Sequence, residues 1–243
     1  MKKYLFSFLF LLAVSAQAQL NLKYSTSGDD PTRAEIIQSA KNCQLILVLD
    51  QSGSMEDFNK IGELNDAVAT LFQGIQSDQA LADKLEVGVV AFESDAQVMR
   101  RPSLIQGQSA PRLSADGGTD MGEGLEEALQ LLNNTGTNDL QPIVILITDG
   151  EPDSQSDALR AAQRVHPNAH FYALGVQGSD FSFLQQMAGP NQAAALAQTK
   201  FSSFFADMST QISQYIMSSS PMSAKMGIRD PFTNGIRIPN FSG

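Results

Sequence analysis

The stretch that decides the fold is Gln44-Leu45-Ile46-Leu47-Val48-Leu49, followed directly by Asp50-Gln51-Ser52-Gly53-Ser54. A continuous apolar run of this length is typical of a strand that is buried on both faces. The polar residues after it have the spacing Asp-x-Ser-x-Ser. A sharp strand-to-helix loop turns alternate side chains toward one point, so a carboxylate and two hydroxyls are expected to converge there. We expect Gly53 to give this loop backbone conformations that other residues resist.

Further along the chain, strand-like and helix-like patterns alternate. Apolar runs predict strands at 85–92, 96–99, 142–147, 171–176 and 193–197. Apolar residues at helical spacing predict helices at 58–75, 121–134, 156–165, 181–187 and 201–216, with Phe58 on the buried face of the first. Residues 100–116 are predicted to be a loop. This alternation predicts an α/β fold with a mostly parallel central sheet, in which 96–99 pairs with 85–92 as a hairpin edge.

Two more polar loops are predicted at the same edge of the sheet. Gly117-Gly118-Thr119-Asp120 stands at the start of a predicted helix, and Thr148-Asp149-Gly150 follows the strand at 142–147. Ligands gather at the carboxyl ends of the strands in such sheets, so we expect one shared site. Its candidate metal ligands are Asp50, Ser52, Ser54, Thr119 and Asp149. This all-oxygen set suits a hard cation such as Mg²⁺ and leaves room for a water that a partner's carboxylate can replace.

These motifs resemble the metal-ion-dependent adhesion site of von Willebrand factor A (vWA) domains. The resemblance covers residues 42–217, and all five metal positions of the family are matched by the residues named above. It implies a doubly wound, mostly parallel sheet with one antiparallel edge strand and helices on both faces. It also implies bound Mg²⁺ or Mn²⁺ and recognition of a protein partner through the metal face, without enzymatic activity. Residues 87–96, 113–119 and 148–152 look closest to bacterial vWA proteins associated with tellurium resistance.

The first residues predict export from the cytoplasm. Lys2 and Lys3 precede an apolar run at 4–14, and Ala16-Gln17-Ala18 offers the small residues that a signal peptidase needs. We therefore divide the chain into a signal peptide at 1–18, a linker at 19–41 with room for one short helix, a vWA domain at 42–217 and an irregular tail at 218–243. The expected location is periplasmic, secreted or on the surface of a bacterium.

Charge and cysteine content narrow the range of functions. The chain of 243 residues has a formal charge of −10, which becomes −12 when the two lysines of residues 1–18 are removed. Such a surface disfavours nucleic acid, whose backbone is also anionic. The single cysteine, Cys43, stands just before the apolar run, where a free thiol commonly behaves as a small buried hydrophobe. No later stretch is long and apolar enough to span a membrane.

Three classes of function stay open. The first is a metal-dependent binding module. The second is a structural subunit of an envelope or surface assembly, in which the metal is incidental and the tail at 218–243 holds the assembly together. The third is a hydrolase, although Ser52 stands where a phosphoryl-transfer motif would have a second aspartate, and the serines lack a Gly-x-Ser-x-Gly elbow.

Several polar residues near the motifs are predicted to have roles other than binding the metal. Gln51 and Asp120 are predicted to border the site, and Glu151 and Asp153 to be solvated loop acids. Neither His166 nor His170 has a nucleophile nearby in the pattern, so both histidines are interpreted as structural.

Overall fold

The structure, a computed structural model, describes residues 32–134, 140–196 and 201–225. Within these residues one six-stranded sheet has the order β3-β2-β1-β4-β5-β6. Its strands are β1 (Cys43–Asp50), β2 (Leu85–Phe92), β3 (Ala96–Ser103), β4 (Ile143–Thr148), β5 (His170–Gly175) and β6 (Ala193–Ala195). Only β2 and β3 pair antiparallel, and the other neighbours are parallel. The predicted fold class is confirmed.

Helices cover both faces of the sheet. They are α1 (Arg33–Ser39), α2 (Lys60–Ser77), α3 (Gln79–Lys84), α4 (Met121–Asn134), α5 (Gln155–Val165), α6 (Phe181–Ala188), α7 (Phe201–Ser218) and α8 (Pro221–Lys225). Every residue of β1 is buried, and its side chains alternate between two cores. Leu45, Leu47 and Leu49 pack in the core under α2 and α7, whereas Ile46 and Val48 pack in the core under α4 and α5. This double burial explains the unbroken apolar run.

The sheet order places the ends of β1 and β4 side by side. Leu49 of β1 is in register with Ile147 of β4 on one side and with Ala91 of β2 on the other. The chain therefore winds outward in both directions from this pair of strands. In such sheets the switch point between the two directions leaves a crevice at the carboxyl ends of the strands. Asp50 and Thr148, the last residues of the two strands, lie at that crevice.

The start of the first long helix was predicted wrongly. Phe58 does not lie on the buried face of α2, since 75% of it is exposed and its φ is 55°. A 3₁₀ turn at Gly53–Asn59 precedes α2, and Phe58 and Asn59 both have left-handed backbone angles. The prediction failed because Phe58 falls at helical spacing by sequence, while two consecutive left-handed residues end the regular spiral before α2 begins at Lys60.

The other helices and strands differ from the predictions in smaller ways. β3 extends to Ser103, so the predicted loop at 100–116 is shorter at its beginning. The short helix α3 was not predicted, and its six residues give too little periodicity to recognise. Arg100 explains part of the extension, because its guanidinium donates to the backbone oxygen of Val87 on the neighbouring strand.

The regions outside the predicted domain also contain structure where they are described. In the predicted linker, α1 buries Ile36 and Ile37 and contacts both α7 and α8. In the predicted irregular tail, α8 occupies Pro221–Lys225. The predicted signal peptide at 1–18 and the tail beyond 225 lie outside the described residues. Among the described helices, none combines the length and hydrophobicity needed to cross a membrane.

Candidate metal centre

The loop after β1 is held by the carboxylate that ends the strand. Asp50 is fully buried, and its Oδ1 accepts a hydrogen bond of 2.7 Å from the backbone N–H of Ser52. Its Oδ2 accepts one of 2.6 Å from the hydroxyl of Thr148, at the end of β4. Each carboxylate oxygen has two lone pairs, so these bonds leave acceptor capacity on both. Asp50 thus links the two central loops and still has lone pairs available.

Hydroxyls and the second carboxylate continue the cluster. The Ser52 and Ser54 hydroxyl oxygens are 3.1 Å apart, and the Ser54 hydroxyl donates to Asp149 Oδ1 at 2.8 Å. Asp149 Oδ2 accepts a short hydrogen bond from the Lys60 ammonium, which forms a buried ion pair with it. Ser54 is exposed while Ser52 and Asp149 are buried. The cluster therefore reaches solvent on the Ser54 side.

Thr119 reaches the same place from the loop before α4. A methyl group added at Gly150 would lie 3.7 Å from the Thr119 hydroxyl oxygen and 3.9 Å from that of Ser54. Both hydroxyls consequently border the same side of Gly150. The loop is fixed by Asp153, whose carboxylate accepts from the Thr119 N–H at 3.0 Å and whose own N–H donates to the Thr119 carbonyl at 3.0 Å.

Two glycines of these loops, Gly53 and Gly117, have different roles. Gly53 has no positive φ, contrary to the expectation above. Instead its N–H donates to the Gly117 carbonyl at 3.2 Å, which brings the first and second loops together. The left-handed angle lies at Gly117, whose φ is 69° and where an added methyl group would collide with the Glu93 carboxylate. A side chain at Gly117 would adopt this angle only with strain, so glycine is favoured there.

The electrostatics of the cluster are dominated by burial. Loss of water around Asp50 raises the pKa of its carboxyl above the ordinary value of 3.8, since the charged form is poorly solvated. The hydrogen bonds from Ser52 and Thr148 act to lower this pKa, and the nearby charge of Asp149 raises it further. A cation placed beside Asp50 would stabilise its ionised form.

The residues present fit a hard divalent ion. Their donor atoms are all oxygens, two carboxylates and three hydroxyls. Hydrogen bonds link the residues of the first and third loops, and the Thr119 hydroxyl lies beside Gly150 together with that of Ser54. Within the described ranges no group of three or more His, Cys, Asp or Glu side chains is arranged to hold a metal. An ion at this site would therefore depend on hydroxyls as well as carboxylates. Such an ion would supply an electrophilic position for an incoming oxygen ligand.

Sequence reasoning missed two participants. Thr148 was recognised only as part of its motif, yet its hydroxyl bonds to Asp50, 98 residues away in the chain. Lys60 was assigned to a helix and given no role, yet it pairs with Asp149. A single sequence offers no signal for either contact, because both join segments that are distant along the chain.

The remaining nearby residues have structural contacts. The Gln51 carbonyl accepts from the Asp116 N–H, and Asp120 Oδ1 accepts from the N–H of Glu123 in the first turn of α4. That Gln51 and Asp120 border the site stays a prediction. Glu151 and Asp153 are exposed, but Asp153 holds Thr119 in place as described.

Both histidines make contacts with neighbouring elements, although His166 is itself exposed. His166 makes a 2.7 Å hydrogen bond through Nε2 with the Met187 carbonyl and an edge contact with Phe171. His170 makes an edge contact with Tyr215.

The fold and these loops are similar to those of a known class of domain. Residues 45–151 match the family model described as "von Willebrand factor type A domain", a stretch that contains all three loops of the site. The architecture is vWA-like, with a six-stranded sheet, one antiparallel pair and helices on both faces.

Known proteins with similar sequence or structure include larger ones. Human calcium-activated chloride channel regulator 1 is 32% identical over 163 residues, which are 63% of this chain and 17% of that protein. The pilus adhesin SpaC from Lactobacillus rhamnosus GG has a TM-score of 0.64 at 19% identity, covering 74% of this chain and 31% of SpaC. The vWF domain of the type V pili tip protein Mfa5 from Porphyromonas gingivalis has a TM-score of 0.55 at 11% identity. The match covers 78% of this chain and 97% of the Mfa5 chain. This chain thus corresponds to less than a fifth of the human relative's length.

Proposed function

We propose that the chain is an exported, metal-dependent protein-binding module that recognises its partner through Mg²⁺ or Mn²⁺. The ion would be held by Asp50, Ser52, Ser54, Thr119 and Asp149. The observation that carries the proposal is the continuous contact from Ser52 through Ser54 to Asp149, which joins loops 95 residues apart into one oxygen cluster.

The chemistry of the cluster favours binding over catalysis. The five proposed ligands include two carboxylates, so a bound ion would retain positive charge and could accept a carboxylate from a protein partner. The occurrence of this fold in a pilus adhesin and in a pili tip protein supports an adhesion or scaffold role outside the cytoplasm. Export itself rests on the sequence pattern of residues 1–18. The likeness to tellurium-resistance proteins stays a prediction, since the relatives named above are of other kinds.

The test is calorimetric titration of Mg²⁺ and Mn²⁺ into the purified, EDTA-treated protein. We expect about one ion per chain, lost in Asp50→Ala and in Thr119→Ala. Asp83→Ala and Thr70→Ala are matched controls, because both residues are exposed and belong to helices α3 and α2 rather than to the three loops. A stoichiometry unchanged in both site variants would contradict the proposed ligands.

A second measurement separates the binding module from a structural subunit. Proteins captured by the wild-type chain with Mg²⁺ should be released by EDTA and should not be captured by Ser52→Ala. If capture survives EDTA and Ser52→Ala but is lost on deletion of residues 221–243, the domain is a structural subunit and the metal is incidental.

A further inference from the structure

Lys60 is the buried cation of the site. Its side chain is 6% exposed, that of Asp149 is 0% exposed, and the two form a direct ion pair. The ammonium also donates to the Gln177 carbonyl at 3.4 Å, in the loop after β5. A lysine is rarely buried unless it is paired. One side chain thus ties the start of α2 to the loops after β4 and β5.

The backbone before Lys60 is strained. Phe58 and Asn59 have φ values of 55° and 60°, which side chains other than glycine rarely adopt in succession. These two residues end the 3₁₀ turn and start α2 at Lys60. Strain of this kind persists where surrounding contacts enforce it and is concentrated at functional sites.

The charges of the cluster do not balance without Lys60. Asp50 and Asp149 are both buried, and the charge of each disfavours that of the other. Removing one partner of a buried ion pair leaves an uncompensated charge, which is strongly destabilising. When no divalent ion is present, Lys60 is the cation that neutralises Asp149 and keeps the loops together.

A divalent ion and Lys60 would compete for the same carboxylate. Asp149 Oδ1 already accepts from Ser54, and Oδ2 accepts from Lys60. An ion bound by Asp149 would either displace the ammonium from Oδ2 or sit close to it. Both arrangements weaken binding, since the first breaks a buried ion pair and the second brings like charges together at low dielectric.

We propose that Lys60 is a built-in counter-ion, and that its ion pair with Asp149 and divalent-ion binding oppose each other. Lys60 then has two effects of opposite sign: it stabilises the metal-free domain and lowers the affinity for the ion. Lys60 would therefore raise the concentration of Mg²⁺ or Mn²⁺ at which the site is half-filled. This inference rests on the proposed function, because it presupposes that the five ligands bind an ion.

The test compares the wild-type protein with Lys60→Met, and with Lys84→Met as a control for the loss of one lysine outside the three loops. Each EDTA-treated protein is titrated with Mn²⁺ in a calorimeter, and its Tm is measured with and without Mn²⁺. We expect Lys60→Met to bind Mn²⁺ about tenfold more tightly, to have a lower Tm in EDTA and to gain a larger Tm increase from Mn²⁺. Lys84→Met should match the wild type in all three quantities.

The outcomes separate this inference from the proposed function. Wild-type binding of one ion with an unchanged or weaker Kd in Lys60→Met overturns the role of Lys60 alone. Absence of binding in both proteins overturns the proposed function and this inference with it. A Lys60→Met protein that folds only when Mn²⁺ is supplied supports the inference.

If Lys60→Met does not fold under any condition, a measurement on the wild-type protein still tests the inference. The side-chain ¹H–¹⁵N signal of the Lys60 ammonium should shift saturably as Mg²⁺ is added. A signal that stays unchanged at Mg²⁺ concentrations that fill the calorimetric site overturns the proposed antagonism.

Discussion

At the scale of single residues, the site combines burial with charge in a way that costs stability. Asp50 ends a strand with no exposed residue, and burial raises the pKa of its carboxyl. A carboxyl whose pKa is raised in the folded state loses stability as the pH rises through the interval between its ordinary pKa and its raised one. At pH values above the ordinary carboxyl pKa, the burial of Asp50 therefore lowers the stability of the metal-free domain. Sites that bind ligands commonly carry such a cost.

Replacing Asp50 with asparagine should separate stability from binding. Asp50→Asn keeps an oxygen acceptor for the Ser52 N–H, and its amide N–H can donate to the Thr148 hydroxyl, which donates to Asp50 in the wild type. Because the buried carboxylate is removed, we expect the metal-free protein to gain about 1 kcal/mol in unfolding free energy. The same variant should bind no Mg²⁺. Urea denaturation in EDTA measures the first effect and calorimetry the second. Asp83→Asn, at an exposed position, should change neither, and a decrease in stability for Asp50→Asn would contradict the argument.

Cys43 should be chemically inert in the folded protein. Burial raises the pKa of its thiol to about 12, and the side chain has no solvent exposure, as the sequence predicted for a small buried hydrophobe. At pH 8 we expect no measurable reaction of the native protein with a disulfide reagent. The single thiol should react completely after denaturation in urea. Rapid labelling of the native protein would contradict this prediction, because it would show that Cys43 at the start of β1 becomes accessible to solvent.

At the scale of elements, the junction between β1 and α2 is the strained part of the structure. The 3₁₀ turn at Gly53–Asn59 carries the Ser54 hydroxyl, directly follows Ser52, and ends with Phe58 and Asn59 in left-handed conformation. The chain must change direction here for Lys60 to enter the interior at the first residue of α2. Asn tolerates such angles through its short polar side chain, whereas Phe does not.

Relief of this strain is measurable. Phe58→Gly should raise the unfolding free energy by about 0.5–1 kcal/mol, because glycine adopts φ near 55° without steric cost and Phe58 is largely exposed. Glu56→Gly is the matched control, since Glu56 is exposed within the same turn but has no left-handed angle, and it should destabilise. Urea denaturation distinguishes the two, and a loss of stability in Phe58→Gly equal to that in Glu56→Gly would refute the strain.

At the scale of the whole molecule, the sheet order creates the site. β1 and β4 are neighbours whose connections leave in opposite directions, so the loops that follow them meet at one edge. The loop before α4 joins them through the hydrogen bonds from Gly53 to Gly117 and between Thr119 and Asp153. The opposite edge of the sheet contributes no residue to the cluster described here.

Ion binding should therefore slow backbone hydrogen exchange only at the edge of the sheet formed by the carboxyl ends of the strands. In hydrogen–deuterium exchange, Mg²⁺ should slow exchange in residues 51–54, 117–120 and 148–153 and leave residues 83–86 and 168–170 unchanged, because these lie at the other edge. Thr119→Ala should lose the protection of all three loops together. Protection spread evenly over the sheet would indicate general stabilisation rather than a local site.

Much of this architecture was predictable, for reasons that differ between elements. β1 and β2 are buried on both faces, so their apolar runs gave their bounds to within a residue. The long helices α4 and α7 were predicted from their apolar stripes, since the spacing of such a stripe is a local property. The start of α2 was not predicted, because the spacing of neighbouring residues does not indicate the left-handed angles of Phe58 and Asn59.

By itself the sequence determined the alternation of strands and helices, the burial of β1 and the chemical type of the candidate ligands. These properties follow from the order of neighbouring residues, through the periods of strand and helix and the oxygen atoms of Asp, Ser and Thr. Only the tertiary structure decided that Lys60 pairs with Asp149 and that Thr148 bonds to Asp50, contacts that span 89 and 98 residues. Such contacts are fixed by how the packed elements bring distant loops together, and no local pattern in the chain records them.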